Sequence, residues 1–155
     1  MKRCRRIYEH PLFKRCMERI NAKERDRKFC LHGIEHSLDT ARIGYISILE
    51  NGLPIDKELF YAAALLHDTG RYSGMPHHEA GAENARIIMP QCGFTEEETE
   101  AAAEAILSHR NQGSVSGTLA SVLYDADKRS RLCFCCGAAD ECYWPQEKRN
   151  GFIRA

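Results

Sequence analysis

Metal-binding residue types interrupt the apolar patterns of this chain. His67 and Asp68 directly follow a run of seven apolar residues, where a buried imidazole and carboxylate without partners would be costly. His109 and Asp127 continue apolar helical faces and therefore point toward a core. Histidine and aspartate together supply the nitrogen and oxygen ligands that suit Mn, Fe, Co, Ni or Zn ions. We therefore predict a buried site for a divalent transition metal.

The elements that carry these residues are predicted to be helices. Apolar residues recur every three or four positions, and no convincing alternation with a period of two is found. Thr95 and Glu98 have the spacing of a capping box at a helix start. The pattern predicts helices near residues 12–20, 38–49, 56–66, 76–88, 95–109 and 118–126. We expect an all-α fold, a single-domain bundle of about six helices.

The order of these residues resembles the HD domain superfamily of metal-dependent phosphohydrolases. The resemblance covers roughly residues 30–130 and rests on the following residues: His36, His67-Asp68-Thr69-Gly70-Arg71 and Asp127-Lys128. It implies an HD-type helical fold and a stand-alone enzyme of bacterial type. It further implies that His36, His67, Asp68 and Asp127 bind a catalytic divalent metal.

Two of these four positions have a competing residue nearby. His32 competes with His36, which we prefer because it leads directly into the apolar helix that the family's first ligand begins. Asp125 competes with Asp127, which we prefer because the metal-binding Asp of similar enzymes directly precedes a basic residue, here Lys128.

A second ion is also implied by the resemblance. His77 and His109 resemble the extra ligands of HD enzymes that hold two metals, with Asp68 bridging the ions. His78 is the alternative to His77. The other interpretation is that His77 and His109 surround a single ion as substrate contacts or as supports for its ligands. The number of ions, one or two, stays open.

The chemistry implied is hydrolysis of a phosphoester by metal-activated water, with Asp68 at the metal and Lys128 and Arg71 stabilising the charge on phosphate. We expect a nucleotide or another small phosphorylated metabolite as substrate, with phosphatase, phosphodiesterase and pyrophosphatase activities left open. No Gly-Tyr-Pro sequence follows His109, which argues against the cyclic di-nucleotide phosphodiesterase subgroup. The alternative function is a non-catalytic regulatory or interaction module that uses the cysteine-rich tail.

The tail carries half of the eight cysteines in the chain. Cys133, Cys136 and Cys142 form a C-x2-C-x5-C set, and Cys135 is a spare thiol. Cys30 is a candidate fourth ligand because it precedes His36 by six residues, just as Cys133 follows Asp127 by six, so the two segments should be neighbours. We predict a structural zinc or iron–sulfur site from these residues: Cys30, Cys133, Cys136 and Cys142. The alternative is a set of reduced thiols in a tail packed by aromatic residues.

Composition limits the remaining possibilities. The 155 residues are 43% hydrophobic and carry no net charge, which is typical of a globular protein. We expect a helical domain over 1–131 with the tail 132–155 packed on it. The basic segment 1–28 should pair with the acidic segment 50–104. Without a long apolar stretch or a nucleic-acid motif, we expect a cytoplasmic protein that binds neither membrane nor nucleic acid, and leave a homo-oligomer open.

Overall fold

The computed structural model describes residues 1–110 and 114–153, and these residues form an all-helical fold, as predicted. The α-helices are α1 (Lys2–Glu9), α2 (Pro11–Lys23), α3 (Ile34–Glu50), α4 (Lys57–Leu66), α5 (His77–Gln91), α6 (Glu96–Ser108) and α7 (Leu119–Arg129). Three short 3-10 helices follow at Cys133–Cys135, Ala139–Glu141 and Gln146–Lys148. Within the described part of the chain no helix is both long and apolar enough to cross a bilayer.

Helix α1 is an α-helix that the apolar pattern did not predict, and with it the described residues contain seven α-helices instead of about six. It buries only Cys4 and Ile7, so its apolar stripe is too short to stand out. Of its basic side chains, Arg3 pairs with the acidic middle of the chain, whereas Arg5 pairs with Glu9 in the same helix. Arg3 Nε lies 3.0 Å from Glu58 Oε2, and Arg3 Nη1 lies 2.7 Å from Glu98 Oε2.

Local capping explains where the helices begin. The Asp56 side chain accepts a hydrogen bond of 2.9 Å from the backbone N–H of Leu59 at the start of α4. The predicted capping box is present, because the Glu98 N–H donates to Thr95 Oγ1 at 3.2 Å and the Thr95 N–H donates to Glu98 Oε2 at 2.9 Å. These caps set the registers of α4 and α6, and hence which of their residues face the core.

Helix α4 lies at the centre of the bundle. Its residues Phe60 and 62–66 are buried, and it contacts α1, α3, α5, α6 and α7. A helix that is apolar on nearly every side must be enclosed by others, so the residues that follow it are also deep in the fold. His67, Asp68 and Thr69 are each no more than 1% exposed.

Two glycines allow α5 to approach the turn that follows α4. A Cβ atom at Gly81 would lie 2.8 Å from the carbonyl oxygen of His67, and one at Gly70 would lie 2.3 Å from that of His77. Both distances are below normal van der Waals contact, so any larger residue would push α5 away from the turn. The approach brings His77 close to Asp68.

Candidate metal centre

Six predicted ligands lie near the ends of five helices, and these ends meet in the fold. Each helix contributes one or two side chains: His36 in the first turn of α3, His67 and Asp68 directly after α4, His77 at the start of α5, His109 directly after α6, and Asp127 in the last turn of α7. Residues at helix ends can point toward a common centre while the helix bodies pack the core.

The first group consists of His36, His67 and Asp127. One ligand atom from each lies within 4.8 Å of the others. His36 Nε2 is 3.3 Å from Asp127 Oδ1, and the rings of His36 and His67 are 5.3 Å apart between centroids. The arrangement has the size and ligand types of a site for one transition-metal ion.

The second group consists of Asp68, His77 and His109, whose ligand atoms also lie within 4.8 Å of one another. Asp68 Oδ1 is 3.5 Å from His77 Nε2 and 3.9 Å from His109 Nε2. The two Nε2 atoms of His77 and His109 are 3.3 Å apart. These are the two histidines that the sequence assigned to a second ion.

Asp68 faces both groups through different oxygens. Its Oδ1 faces His77 and His109, whereas its Oδ2 lies 3.4 Å from His67 Nε2 and 3.6 Å from His36 Nε2. The carboxylate is 1% exposed, so water does not solvate it from outside. A carboxylate in this position can bridge two cations.

Four of the candidate ligand atoms lack hydrogen bonds. Within residues 1–110 and 114–153, both Asp68 oxygens and the Nε2 atoms of His36 and His67 are buried without a hydrogen-bond partner. Leaving such groups unsatisfied costs about 1–3 kcal/mol each, more for a charged one. Buried nitrogen and oxygen lone pairs that converge on one volume fit a bound cation, so the donor set suits a divalent metal.

The second ring nitrogen of three histidines is fixed by the protein. Nδ1 of His67 donates to the Ala64 carbonyl at 2.7 Å, and Nδ1 of His109 donates to the Ile106 carbonyl at 2.5 Å. Nδ1 of His36 lies 3.1 Å from the hydroxyl oxygen of Ser130. A proton on Nδ1 leaves the Nε2 lone pair free to coordinate, and the contact fixes the ring orientation.

Burial determines the charge state of the second group. It lowers the pKa of His109 to about 3, with a further contribution from nearby His67, and it lowers the pKa of His77 to about 4. Both imidazoles are therefore neutral near pH 7, as metal coordination requires.

The pKa values of the other ligands reflect the attraction between the aspartate carboxylates and the neighbouring histidines. Burial alone would raise the pKa of Asp68, but the positive charges of His67 and Arg71 hold it well below the usual range. Burial likewise opposes ionisation of Asp127, and its close contact with His36 together with the charge of His67 lowers its pKa. Burial disfavours the charged form of His67, yet Asp68 raises its pKa above the ordinary value. The carboxylates are thus anionic and favour positive charge between them.

Two basic side chains, to which the sequence analysis gave a catalytic role, border the centre. Arg71 Nε lies 2.9 Å from Asp68 Oδ2, and the Lys128 ammonium contacts Asp127 Oδ2. Both side chains are partly exposed, at 26% and 31%, so they can reach a molecule that approaches from solvent. Arg71 also lines a cavity of about 380 Å³ together with Lys23 and Arg27.

The competing residues lie outside the two groups. His32 is buried, but its Nδ1 is 2.7 Å from Glu24 Oε1, and that carboxylate also accepts from the His32 backbone N–H at 2.8 Å. Asp125 is exposed, and His78 lies next to Glu79 instead of Asp68. At each of the three positions, the residue in a ligand group is the one that the sequence analysis preferred. His36 and Asp127 belong to the first group and His77 to the second.

Sequence reasoning missed Ser130 and Glu24. Ser130 donates to the carbonyl of Asp127 at 2.8 Å and accepts from His36, so it links the ligand of α3 to the last turn of α7. Its position three residues after Asp127 was the only signal, and serines at helix ends usually have no such role. Glu24 lies just after α2 and gave no signal, because its contact with His32 depends on tertiary packing.

The cysteine segments lie together at the His36 side of the centre. Cys30, Cys133, Cys136 and Cys142 line one cavity, as expected for neighbouring segments. In the described residues no three cysteine sulfurs lie within 4.8 Å of one another, unlike the ligand atoms of the centre. Residues 154–155 of the predicted tail lie outside the described residues.

Known proteins resemble this chain over most of its length. The sequence profile of the HD domain matches residues 33–132. An uncharacterised protein of Clostridium beijerinckii is 41% identical over 138 residues, which cover 86% of this chain and 87% of that protein. A bifunctional uridylyltransferase/uridylyl-removing enzyme of Gluconobacter oxydans is 42% identical over 53 residues, which cover 34% of this chain and 6% of the enzyme.

A solved structure has the same fold. The crystal structure of a predicted HD superfamily hydrolase from an uncultured Thermotogales bacterium matches with a TM-score of 0.65 and 24% identity, covering 89% of this chain and 79% of that one. The profile match spans the residues from the start of α3 to the end of α7, and with it all six predicted ligands. The chain belongs to the HD domain family.

Proposed function

We propose that this protein is a metal-dependent hydrolase that cleaves a phosphoester, such as a nucleotide or another small phosphorylated metabolite. The observation that carries the proposal is the position of the Asp68 carboxylate, buried between two groups of ligand atoms. In this proposal His36, His67 and Asp127 would hold one ion, His77 and His109 would hold a second, and Asp68 lies beside both groups. Mn, Fe, Co, Ni and Zn all suit these ligands.

The net charge of the centre favours an anionic substrate. Four neutral histidines and two aspartates contribute −2, so two divalent ions leave the centre at about +2 before any bound hydroxide is counted. Phosphate oxygens complement such a charge, and the uridylyl-removing enzyme that matches part of the chain is named for removal of a nucleotidyl group. A single ion would leave the centre about neutral, so the preference for phosphate is strongest with both ions bound.

Divalent ions in such a centre supply an activated water molecule near neutral pH. The remaining chemistry is carried by the chain itself. Arg71 and Lys128 lie beside Asp68 and Asp127 and are partly exposed, so they are placed to hold phosphate oxygens as negative charge develops. The contacts of Nδ1 in His36, His67 and His109 keep the imidazoles in one orientation. Burial of Asp68 excludes bulk water from the ligand atoms.

The test is a screen of the purified protein against nucleotides and small phosphoesters with each of the five metals. We expect hydrolysis with at least one metal, and its loss in Asp68→Ala. Asp125→Ala is the matched control, since Asp125 is an exposed aspartate on the same helix as Asp127 and should keep full activity. Inactivity of metal-loaded wild type across the screen would reject hydrolysis and favour a regulatory module.

A further inference from the structure

A second cluster of potential ligands lies in a cavity of about 370 Å³ beside the metal centre. Its walls include five of the eight cysteines, namely Cys30, Cys133, Cys135, Cys136 and Cys142. Cys30 comes from the loop before α3, and the other cysteines come from the tail after α7. His36 and Ser130 also line this cavity, so it adjoins the metal centre without containing Asp68.

The tail that supplies most of these cysteines buries little apolar surface over its described residues, 132–153. None of its three 3-10 helices buries a residue, and the large side chains of Phe134 and Tyr143 are 40% and 67% exposed. Short segments without apolar packing generally need a metal or disulfides to hold one conformation. All the cysteines are free thiols, so disulfides do not supply this constraint.

Hydrogen bonds hold the far end of the tail, and the ion pair of Lys28 with Glu141 at 2.7 Å holds its middle. Arg149 donates to the carbonyls of Ala139, Cys142 and Trp144 at 3.0, 2.7 and 2.6 Å. Asn150 Nδ2 donates to the carbonyls of Lys128, Arg129 and Arg131 and so ties the end of the tail to the end of α7. These contacts close a loop with Cys133, Cys136 and Cys142 inside it, facing the segment that carries Cys30.

Burial separates four of the thiols from the fifth. Cys30, Cys133, Cys136 and Cys142 are partly buried, whereas Cys135 is exposed and its thiol lies 3.6 Å from the carbonyl oxygen of Leu132. Burial raises the pKa of Cys30, and the neighbouring thiols of Cys133 and Cys142 act in the same direction. The partly buried set is the C-x2-C-x5-C set plus Cys30, and the spare thiol belongs to the exposed residue of the cavity wall.

The separation of the thiols distinguishes between two kinds of centre. Tetrahedral zinc with Zn–S bonds of about 2.3 Å brings its thiolates to within roughly 3.8 Å of each other. Among the residues that the structure describes, no three sulfurs of this cavity lie even within 4.8 Å. A cluster of the 4Fe–4S type, in which each cysteine binds a different iron, places iron and sulfide between all four ligands and holds them farther apart than a single ion does. A cavity wall of separated thiols fits such a cluster better than a single ion.

We propose that Cys30, Cys133, Cys136 and Cys142 ligate an iron–sulfur cluster. The cluster joins the loop before α3 to the tail after α7, where little apolar surface is buried. Because His36 lies in the first turn of α3 and Ser130 directly follows α7, the same link supports the metal centre from outside.

The experiment is anaerobic purification of the whole protein, followed by assays for iron and acid-labile sulfide, visible absorption, and electron paramagnetic resonance after reduction. We expect a brown protein with sulfide in stoichiometric amounts. Serine substitution at Cys30, Cys133, Cys136 or Cys142 should reduce the sulfide content at least severalfold, whereas Cys135→Ser should retain it. Far-UV circular dichroism checks that each variant is folded.

Acid-labile sulfide separates the cluster from iron in the metal centre. Iron held by histidine and aspartate carries no sulfide, so Asp68→Ala should lose centre iron and keep sulfide. Wild type without sulfide, whose eight thiols all titrate in the folded protein, would overturn the proposal. Zinc in place of iron and sulfide, lost in the same four variants, would overturn the cluster in favour of a single ion. The wild-type assays decide the matter even where a variant fails to fold.

Discussion

Nδ1 of His36 lies 3.1 Å from the hydroxyl oxygen of Ser130, which joins the first turn of α3 to the residue that ends α7. The Ser130 hydroxyl in turn donates to the carbonyl of Asp127 at 2.8 Å. One serine therefore fixes the tautomer of one candidate ligand and contacts the backbone of another. Ser130 is 7% exposed, so water cannot readily replace its hydroxyl.

We predict that Ser130→Ala weakens metal binding by about 10- to 100-fold, because the His36 ring loses the partner of Nδ1. Metal titration followed by calorimetry measures the effect. Ser116→Ala, at an exposed serine in the segment before α7, is the control and should bind as wild type does. Equal affinity in Ser130→Ala and wild type would show that His36 does not depend on this contact.

Removal of metal should lower the thermal stability of wild type. A metal present at 100 times its Kd contributes about 2.7 kcal/mol per site, and for a domain of this size that is a change in Tm on the order of 5–10 °C. The measurement is thermal unfolding with and without a chelator. In Asp68→Ala the chelator should have little effect on Tm. A chelator effect of the same size in both proteins would place the stabilising metal elsewhere.

Stability of the metal-free protein should fall as the solution is acidified below neutral pH. Burial lowers the pKa of His109 to about 3 and that of His77 to about 4, whereas unfolded imidazoles titrate near about 6.5. Between these values the unfolded chain binds protons that the folded chain does not, so the free energy of unfolding decreases as pH falls from about 6.5. The buried His109 alone contributes up to about 1.4 kcal/mol per pH unit.

The measurement is urea denaturation in the presence of a chelator at pH 7, 6 and 5. His109→Gln removes one of the titrating groups, so its free energy of unfolding should depend less steeply on pH than that of wild type. Equal pH dependence in the two proteins would contradict the buried, neutral state of His109.

Lys128→Ala should lower kcat/KM for a phosphoester by about 10- to 100-fold, as expected for loss of one charge-assisted hydrogen bond to phosphate. Its contact with Asp127 makes a metal titration necessary alongside the kinetics, so that lost substrate contact is separated from altered metal binding. Arg42→Ala, at an exposed arginine on α3, is the control for general charge effects. Unchanged kinetics in Lys128→Ala would remove the lysine from the proposed mechanism.

Gly81→Ala should destabilise the fold and weaken the centre together. The new methyl group would lie 2.8 Å from the His67 carbonyl, and relieving this overlap costs about 1–3 kcal/mol. Because the obstacle is backbone next to Asp68, metal affinity should fall as well. Gly151→Ala is the control, since a Cβ there meets no atom within 4 Å. Thermal unfolding and metal titration of both variants test the prediction.

The helices and their starts follow from local sequence. The capping side chains of Asp56 and Thr95 act on N–H groups three residues away, so their spacing alone predicts them. Helix α1 escaped prediction because its stability comes from burial of Cys4 and Ile7 and from the ion pairs of Arg3. Those contacts involve residues more than fifty positions away, and no local pattern reveals them.

The candidate ligands were recognisable by residue type, order and placement on apolar faces. Which of these ligands lie close together was decided by the tertiary structure. His32 and His36 lie four residues apart, before and within the first turn of α3, and both are shielded from solvent, yet Glu24 contacts only His32 and Ser130 contacts only His36. Sequence determined which side chains had reason to be buried, because burial follows the periodicity of each helix. The packing of α2, α3 and α7 decided which imidazole faces Asp68, because that depends on contacts between residues far apart in the chain.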